Sequence, residues 1–194
     1  KYATNKSGSW EYTTVVTKLG IGNNFNSRTE IAVDSNNAVH IAYMDWSLST
    51  SGVVMYVNNI GGTWTTPVVI DWVGYKAKWY TELELAVDSN NKVHICYGSH
   101  YNSENSYLRY ATNSYGSWIQ TTADSSGDVG YDCSIAVDSN NKVHIAHAGN
   151  YDYGVYKYGN LRYSTNKDRG NWWEFDSMMV DNSYGQNVGW CSNI

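Results

Sequence analysis

The chain has 194 residues, enough for one domain with a sizeable buried core, and carries a net charge of −5 with 16% charged residues. This acidic balance argues against a nucleic-acid partner, because phosphate backbones are bound by clustered lysine and arginine. No apolar stretch approaches the roughly 18 residues that a membrane-spanning helix needs. Tyr (18) and Trp (9) greatly outnumber Phe (2). This indicates partly solvent-exposed surfaces, since the side chains of Tyr and Trp join an apolar ring to a polar group.

A repeat of about 54 residues runs through the sequence. One phrase, IAVDSNNAVHIAY at Ile31–Tyr43, returns at Leu85–Tyr97 and at Ile135–His147. A second phrase, YATNKSGSW at Tyr2–Trp10, returns three times in similar form. A period of this length with short strands is typical of propeller repeats, and no 3.6-residue apolar stripe indicates helices. The second phrase ends each time at a tryptophan 54 residues after the previous one: Trp10, Trp64, Trp118 and Trp172.

In chain order, the sequence begins with half a repeat. Tyr2–Asn5 is predicted to form a strand, Lys-Ser-Gly a turn, and Trp10–Val16 the next strand. In the following repeat, Ile31–Asp34 is a short strand, and Ser-Asn-Asn is a tight turn because Asn tolerates positive φ. Residues 39–43 then alternate apolar and other side chains with the period of two that is typical of a strand. Each repeat is therefore predicted to form four antiparallel strands.

The predicted fold class is all-β, a β-propeller of four-stranded antiparallel blades with about three and a half blades in this chain. Because the sequence opens and closes in mid-repeat, we expect a four-bladed ring or a part of a larger ring that a partner chain or further sequence completes. In either case Tyr2–Val16 and the segment ending at Ile194 should lie beside each other or against another chain. A single domain, 1–194, is predicted to contain repeats at about 1–28 (half a blade), 29–81, 82–132 and 133–190, with a further strand starting at 191–194.

The two phrases resemble those of secreted bacterial and archaeal β-propellers of the sialidase-like group, which carry BNR (Asp-box) repeats. The resemblance covers nearly the whole chain and implies the propeller fold. The Asp-box itself reads Ser-x-Asp-x-Gly-x-x-Trp, whereas here Asn5 and Gly8 are three residues apart and Trp10 follows two later. The turn sequence is therefore related to the Asp-box motif but does not match its spacing. Activities vary widely among such propellers, so the resemblance implies little about function.

Constant and variable loops are expected on opposite faces of the ring. The Ser-Asn-Asn and Asn-x-x-Gly-x-Trp turns repeat almost verbatim and are predicted to be scaffold. The other loops differ between repeats and are rich in aromatic residues, and function concentrates on loops held by a rigid frame. The predicted ligand-binding residues on this face are Trp46, Trp79, Tyr80, His100, Tyr101, Tyr151, Tyr153 and Trp190.

Repeated histidines and aspartates are predicted to be structural. His40, His94 and His144 occupy equivalent positions in separate blades, so ring geometry keeps them apart and disfavours a shared metal. We expect them to be packed between blades and hydrogen-bonded. The aspartates that precede the Ser-Asn-Asn turns are predicted to cap those turns: Asp34, Asp88 and Asp138.

Neither a cofactor nor a metal site is predicted. The run DSSGD at Asp124–Asp128 places oxygen ligands at alternate positions, which leaves calcium as an alternative, but it lacks the final Glu and the spacing of an EF-hand. Three cysteines cannot all pair within one chain, and they fall at different places in the repeat. We expect small buried side chains with at most one disulfide among Cys96, Cys133 and Cys191.

Catalytic residues are hard to assemble from this sequence. A sialidase needs an arginine cluster, but the chain has four arginines, and Arg109 and Arg162 occupy equivalent positions that indicate scaffold; the others are Arg28 and Arg169. A glycosidase needs a carboxylate pair at a set distance, and nothing in the sequence pairs the candidates on the variable loops. Those candidates are Glu82, Glu84, Glu104 and Asp152. For a polysaccharide lyase the candidate catalytic pairs are His100 with Tyr101, or His147 with Tyr151.

The sequence therefore favours a non-enzymatic extracellular recognition module that binds carbohydrate. Aromatic rings would stack on sugar C–H groups, while Asn, Asp and Glu side chains bind hydroxyls. Two alternatives stay open, a structural or adhesive surface protein acting by protein–protein contacts and a glycan-degrading enzyme. The predicted partners are a glycan or a surface protein, together with self-association to complete the ring. No nucleic-acid binding or membrane insertion is expected, and the predicted location is extracellular or the cell surface.

Overall fold

The computed structural model describes residues 1–17, 28–47, 51–74, 82–100, 106–149, 159–167 and 174–181. Within them the regular structure is fourteen strands and one short 3-10 turn at Ile60–Gly62, so the predicted all-β class is confirmed for this part of the chain. None of these residues belongs to a helix long and apolar enough to cross a membrane.

The strands form one hairpin and three sheets, each in chain order. The N-terminal hairpin pairs β1 (Tyr2–Thr4) with β2 (Glu11–Thr13). The four antiparallel strands predicted for each repeat are confirmed in three repeats. The first sheet contains β3 (Thr29–Val33), β4 (Val39–Asp45), β5 (Gly52–Asn58) and β6 (Val68–Gly74). The second contains β7 (Leu83–Val87), β8 (Val93–His100), β9 (Ser106–Thr112) and β10 (Ile119–Asp124). The third contains β11 (Val129–Val137), β12 (Val143–Gly149), β13 (Asn160–Asn166) and β14 (Phe175–Asp181).

The Ser-Asn-Asn turns close the first hairpin of each sheet with the same geometry. Their second asparagine has a φ of 60° or 61° in all three turns, a left-handed conformation that Asn tolerates better than most residues. In the first sheet, Asp34 Oδ1 accepts the backbone N–H groups of Asn36 at 2.9 Å and Ala38 at 2.7 Å. Asp88 and Asp138 accept the equivalent pair of bonds, so the predicted turn-capping role is confirmed.

Successive turns also bind each other. The backbone N–H and the hydroxyl of Ser35 donate to Asn91 Oδ1 in the next turn, at 3.0 and 2.8 Å. Ser89 donates in the same way to Asn141 Oδ1, at 3.3 and 2.8 Å. The three turns therefore lie side by side, as predicted.

A histidine links the aspartate of each turn to a tyrosine on the third strand of the same sheet. His94 is fully buried, with Nε2 3.3 Å from Asp88 Oδ2 and Nδ1 2.6 Å from the hydroxyl of Tyr110 on the neighbouring strand β9. His40 with Asp34 and Tyr56, and His144 with Asp138 and Tyr163, repeat the arrangement. The prediction that these histidines are structural and hydrogen-bonded is confirmed.

Neighbouring sheets share their cores. One cluster joins Met44 and Val54 of the first sheet to Leu85 and Ile95 of the second, and another joins Tyr110 of the second sheet to residues of the third. The first strands of the three sheets follow one another, because β7 contacts both β3 and β11. The same edge-on aromatic contact recurs between units, as Trp64 on Tyr2 (5.2 Å between centroids) and Trp118 on Tyr56 (4.9 Å).

The apolar side of β3 is exposed, although Tyr2 and Val16 pack on the same side of the first sheet at β4 and β5. Leu85 and Ile135 are 9% and 7% exposed because the preceding sheet covers them, whereas the equivalent Ile31 of β3 is 54% exposed and Val33 is 58% exposed. Trp10 of the N-terminal hairpin is also exposed. The predicted meeting of the chain ends falls outside the described residues, because the segment 182–194 is not among them.

Replacing the capping aspartate provides a test of the turn unit. We expect Asp88→Ala to lower the free energy of unfolding by about 2–4 kcal/mol, because two backbone N–H groups and buried His94 lose their acceptor. Urea unfolding at pH 7 measures the loss. The matched control is Asp138→Ala, where the Asp138 and His144 side chains are 35% and 28% exposed and water can replace the lost bonds. Equal losses in the two variants would contradict this account.

Candidate functional site

Two positions precede each constant phrase, on or next to the first strand of its sheet. The position three residues before the phrase differs in every repeat, as Arg28, Glu82 and Asp132, whereas the position immediately before it holds Glu30, Glu84 and Ser134. Both lie on the side away from the Ser-Asn-Asn turns, on what we call the variable face. Because β7 contacts β3 and β11, the first strands bring these side chains together. We call the group the inner carboxylate cluster: Arg28, Glu30, Glu82, Glu84 and Asp132.

Glu82 is the centre of this cluster. Arg28 Nη2 donates a hydrogen bond to Glu82 Oε1, which links the approach to β3 with the approach to β7. The carboxyl group of Asp132 on β11 also interacts with Glu82 and raises its pKa. Glu82 therefore interacts with residues that belong to the other two sheets.

Among the described residues the cluster is short of positive charge, since one guanidinium lies near four carboxyl groups. Burial raises the pKa of Glu82 to about 7; the nearby Arg28 opposes this rise, and Asp132 and Glu30 add to it. Burial also raises the pKa of Glu84 to about 7, with further increases from Glu30 and Glu82. Both glutamates therefore hold a proton at a higher pH than an exposed glutamate does, and a carboxyl group with a pKa near the working pH can donate as well as accept a proton.

Asp132 is held in the cluster by an irregular backbone. Its φ is 43°, a left-handed conformation that costs energy in a residue with a β-carbon. The register of β11 against β12 shifts twice here, between Val129 and Tyr131 and between Tyr131 and Ser134, and Asp132 lies within the second shift. Bulges of this kind re-aim a side chain and occur often beside functional sites. The strain at Asp132 is a reason to treat the cluster as functional.

A second polar group on the variable face surrounds Asp128. Its Oδ1 accepts from the Tyr131 hydroxyl at 2.7 Å and from the backbone N–H and hydroxyl of Ser106 at 3.1 and 2.5 Å. His100 packs edge-on against Tyr131, with 5.8 Å between ring centroids. Protein donors therefore already engage Asp128, one end of the segment considered for calcium. The part of the chain that the structure describes contains no group of His, Cys, Asp and Glu arranged to hold a metal ion.

The repeated arginines bridge successive sheets. Arg109 on β9 donates to Asp71 Oδ2 of the first sheet at 3.2 and 2.8 Å. Arg162 on β13 donates to Asp124 Oδ2 of the second sheet at 2.8 Å. These ion pairs are partly or largely buried between sheets. Both arginines therefore have the scaffold role that their equivalent positions indicated.

His147 is unsuited to the lyase alternative in this arrangement. The side chain is fully buried, 3.6 Å from Asp124 and 3.1 Å from the hydroxyl of Ser164. Burial lowers its pKa to about 4, although Asp124 acts in the opposite direction. The imidazole is consequently neutral and out of reach of a substrate near pH 7. Its proposed partner, Tyr151, lies outside the described residues.

The sequence-predicted aromatic residues are placed unequally. Trp46 is 5% exposed in the core between the first two sheets, against Gly52, so a sugar could reach its ring only if core side chains moved. His100 is half-buried on the variable face. Trp72, near the end of β6, is 54% exposed and was not among the selected residues. The remaining candidates lie outside the described residues: Trp79, Tyr80, Tyr101, Tyr151, Tyr153 and Trp190, with the carboxylates Glu104 and Asp152.

No family model matches the chain, and no curated protein matches it. One similar solved structure is the polysaccharide lyase Uly1, at 12% identity and a TM-score of 0.48. That match covers 80% of this chain and 41% of the lyase chain. Another is a fucose lectin from Kordia zhangzhouensis in complex with methyl-fucoside, at 11% identity and a TM-score of 0.48. It covers 80% of this chain and 99% of the lectin chain.

The raised pKa of Glu84 predicts how its replacement depends on pH. Because the folded state raises the pKa above its unfolded value of 4.5, the stability linked to Glu84 is fully present below pH 4.5 and is lost as pH rises through about 7. Glu84→Gln removes that loss. We expect it to raise the melting temperature at pH 8.5 by about 2–5 °C, with a gain that shrinks towards zero near pH 4.5.

The control for this experiment is Glu174→Gln, the same chemical change at an exposed position away from the cluster. Its melting temperature should follow that of the wild type across the pH range. A gain in Glu84→Gln that does not depend on pH would show that Glu84 is not held at a raised pKa.

Proposed function

We propose that the N-terminal hairpin and the three sheets are successive blades of a β-propeller. Three features support this arrangement. Each sheet is a four-stranded meander, neighbouring sheets share a core, and the first strand of the second sheet contacts the first strands of the sheets on both sides. The chain of hydrogen bonds between Ser-Asn-Asn turns then follows one face of the ring. The inner carboxylate cluster lies around the ring axis at the other face.

We further propose that the protein is an extracellular recognition module that binds a glycan at this cluster. The observation that carries the proposal is the meeting of Arg28 with four carboxyl groups from three sheets, around a repeat position that differs each time, as Arg28, Glu82 and Asp132. Carboxylates and guanidinium groups bind sugar hydroxyls by charge-assisted hydrogen bonds. We further propose stacking on the sugar by aromatic side chains that the sequence predicts for the variable loops: His100, Trp79, Tyr80, Tyr101, Tyr151, Tyr153 and Trp190.

The charge of the cluster defines the class of glycan. Even with Glu82 and Glu84 partly protonated, the carboxyl groups of the described residues outnumber the one guanidinium and disfavour sulfated sugars and uronates, since like charges in a partly buried site cost affinity. A neutral or amino sugar meets no such repulsion. The proposed ligand is therefore a neutral or amino-sugar oligosaccharide.

Binding can be measured on an array of neutral, amino-sugar, uronate and sulfated glycans, followed by calorimetry on the best ligand. We expect Glu82→Gln and Arg28→Ala to weaken affinity at least tenfold, about 1.4 kcal/mol, because each removes a charged hydrogen-bonding group. Glu174→Gln, which makes the same change away from the site, should bind as the wild type does. No binding to any glycan, or equal affinity in all four proteins, would reject the proposal for this site.

A second candidate, a glycan-degrading enzyme, is favoured by the raised pKa values of Glu82 and Glu84. A carboxyl group that holds its proton near pH 7 can act as a general acid beside an ionised carboxylate. The discriminating measurement is release of shorter sugars from the glycan that binds best. Turnover abolished in Glu82→Gln would favour the enzyme, and tight binding without products would favour the recognition module.

The uncovered side of β3 also supports self-association. In the other two sheets the equivalent residues, Leu85 and Ile135, are covered by the preceding sheet. A second copy of the chain would cover the exposed Ile31 and Val33 in the same way. We expect light scattering to find a dimer or larger assembly at about 100 μM. Ile31→Asp should shift it to the monomer without changing the melting temperature of the monomer. A wild-type monomer at that concentration would contradict this proposal.

A further inference from the structure

Two cysteines from different sheets meet in the core. Cys96 on β8 and Cys133 on β11 have their Sγ atoms 3.0 Å apart. Ordinary contacts between carbon atoms are about 3.5–4.0 Å long, and sulfur is the larger atom. Both residues are buried, at 0% and 3% exposure, and they belong to the core cluster that joins the second and third sheets. Both are free thiols in the structure, with Cys96 donating to Cys133, and their sulfur atoms lie closer than two unbonded thiols require, about 1 Å beyond the length of a disulfide bond.

The repeat shows that this pair is specific to one junction. The position of Cys96 is occupied by alanine in the other two repeats, Ala42 and Ala146. The position of Cys133 is occupied by Thr29 and Leu83. One cysteine has therefore been placed on each side of the same junction, on two strands that contact each other. Packing alone does not need sulfur at either position, because alanine fills the first elsewhere and threonine or leucine fills the second.

We propose that Cys96 and Cys133 form a disulfide that links the second sheet to the third. The reaction is exchange with a small-molecule disulfide such as oxidised glutathione. One cysteine thiolate attacks the reagent, breaking its S–S bond and releasing one thiol. The other half of the reagent stays bonded to the first cysteine as a mixed disulfide. The second cysteine thiolate attacks that mixed disulfide, so the Sγ–Sγ bond forms and a second thiol leaves. Two protein thiols are oxidised and one reagent disulfide is reduced to two thiols.

The position of the pair determines when this bond forms and how long it persists. Burial raises the pKa of the Cys133 thiol well above its usual range, so little thiolate exists in the folded protein. Exchange therefore takes place while the chain folds, before the two sheets close over the sulfur atoms. Once formed, the bond is shielded from reductants in solution. A shielded bond of this kind suits an oxidising, extracellular location.

The first test counts thiols. The full chain is refolded in a mixture of reduced and oxidised glutathione, unfolded in denaturant and alkylated before and after reduction. We expect one alkylated cysteine before reduction, Cys191, and three afterwards, with a peptide map that shows Cys96 joined to Cys133. Three alkylated cysteines before reduction, or a bond that includes Cys191, would overturn the proposal.

The second test measures what the bond does for stability. Reduction should lower the melting temperature of the wild type by about 5–10 °C, because the cross-link limits the unfolded chain. Cys191→Ser, which keeps the pair, should show the same drop. The double variant Cys96→Ala, Cys133→Ala should show none. A drop that persists in the double variant would contradict the assignment, and so would its absence in Cys191→Ser.

Discussion

Each described four-stranded repeat contains one aspartate whose two carboxylate oxygens contact different parts of the sheet. In the second sheet, Oδ1 of Asp88 closes the turn between β7 and β8, and Oδ2 faces His94, which in turn reaches the Tyr110 hydroxyl on β9. A single carboxylate thus fixes the turn, the first strand pair and the third strand. Buried polar groups of this kind are costly unless all their partners are present, so only one register of the three strands is satisfactory. The sheet-to-sheet contacts depend on that register.

The sequence predicted the parts of the fold that are local and repeated. The alternation in Val39–Tyr43 predicts a strand, the Ser-Asn-Asn turn predicts a hairpin, and the equivalence of His40 with His94 indicates a structural role. All three outcomes follow from interactions within one repeat or from its comparison with the next. The packing of one sheet on the next could not be derived in the same way, because it depends on contacts between distant parts of the chain.

The candidate site was predicted less well. Glu82 and Glu84 were recognised as variable carboxylates, but their contacts with Arg28 and Asp132 cross between repeats and have no spacing signal. Aligning the residues just before each constant phrase would have shown the pattern. Trp46 was selected for its lack of a repeat equivalent, yet an aromatic residue near a strand end can turn into the core as easily as towards solvent. Sequence variation marks where repeats differ and does not give the direction of a side chain.

The bonds between turns have a direction. The serine of one turn always donates to the asparagine of the next, through the same two positions, so the contact does not distinguish which repeat follows which. A duplicated repeat inserted between two others would meet a compatible neighbour on each side from the moment it arose. Such a scaffold can lengthen or shorten by gene duplication and unequal recombination, while the residues at the opposite ends of its strands diverge independently.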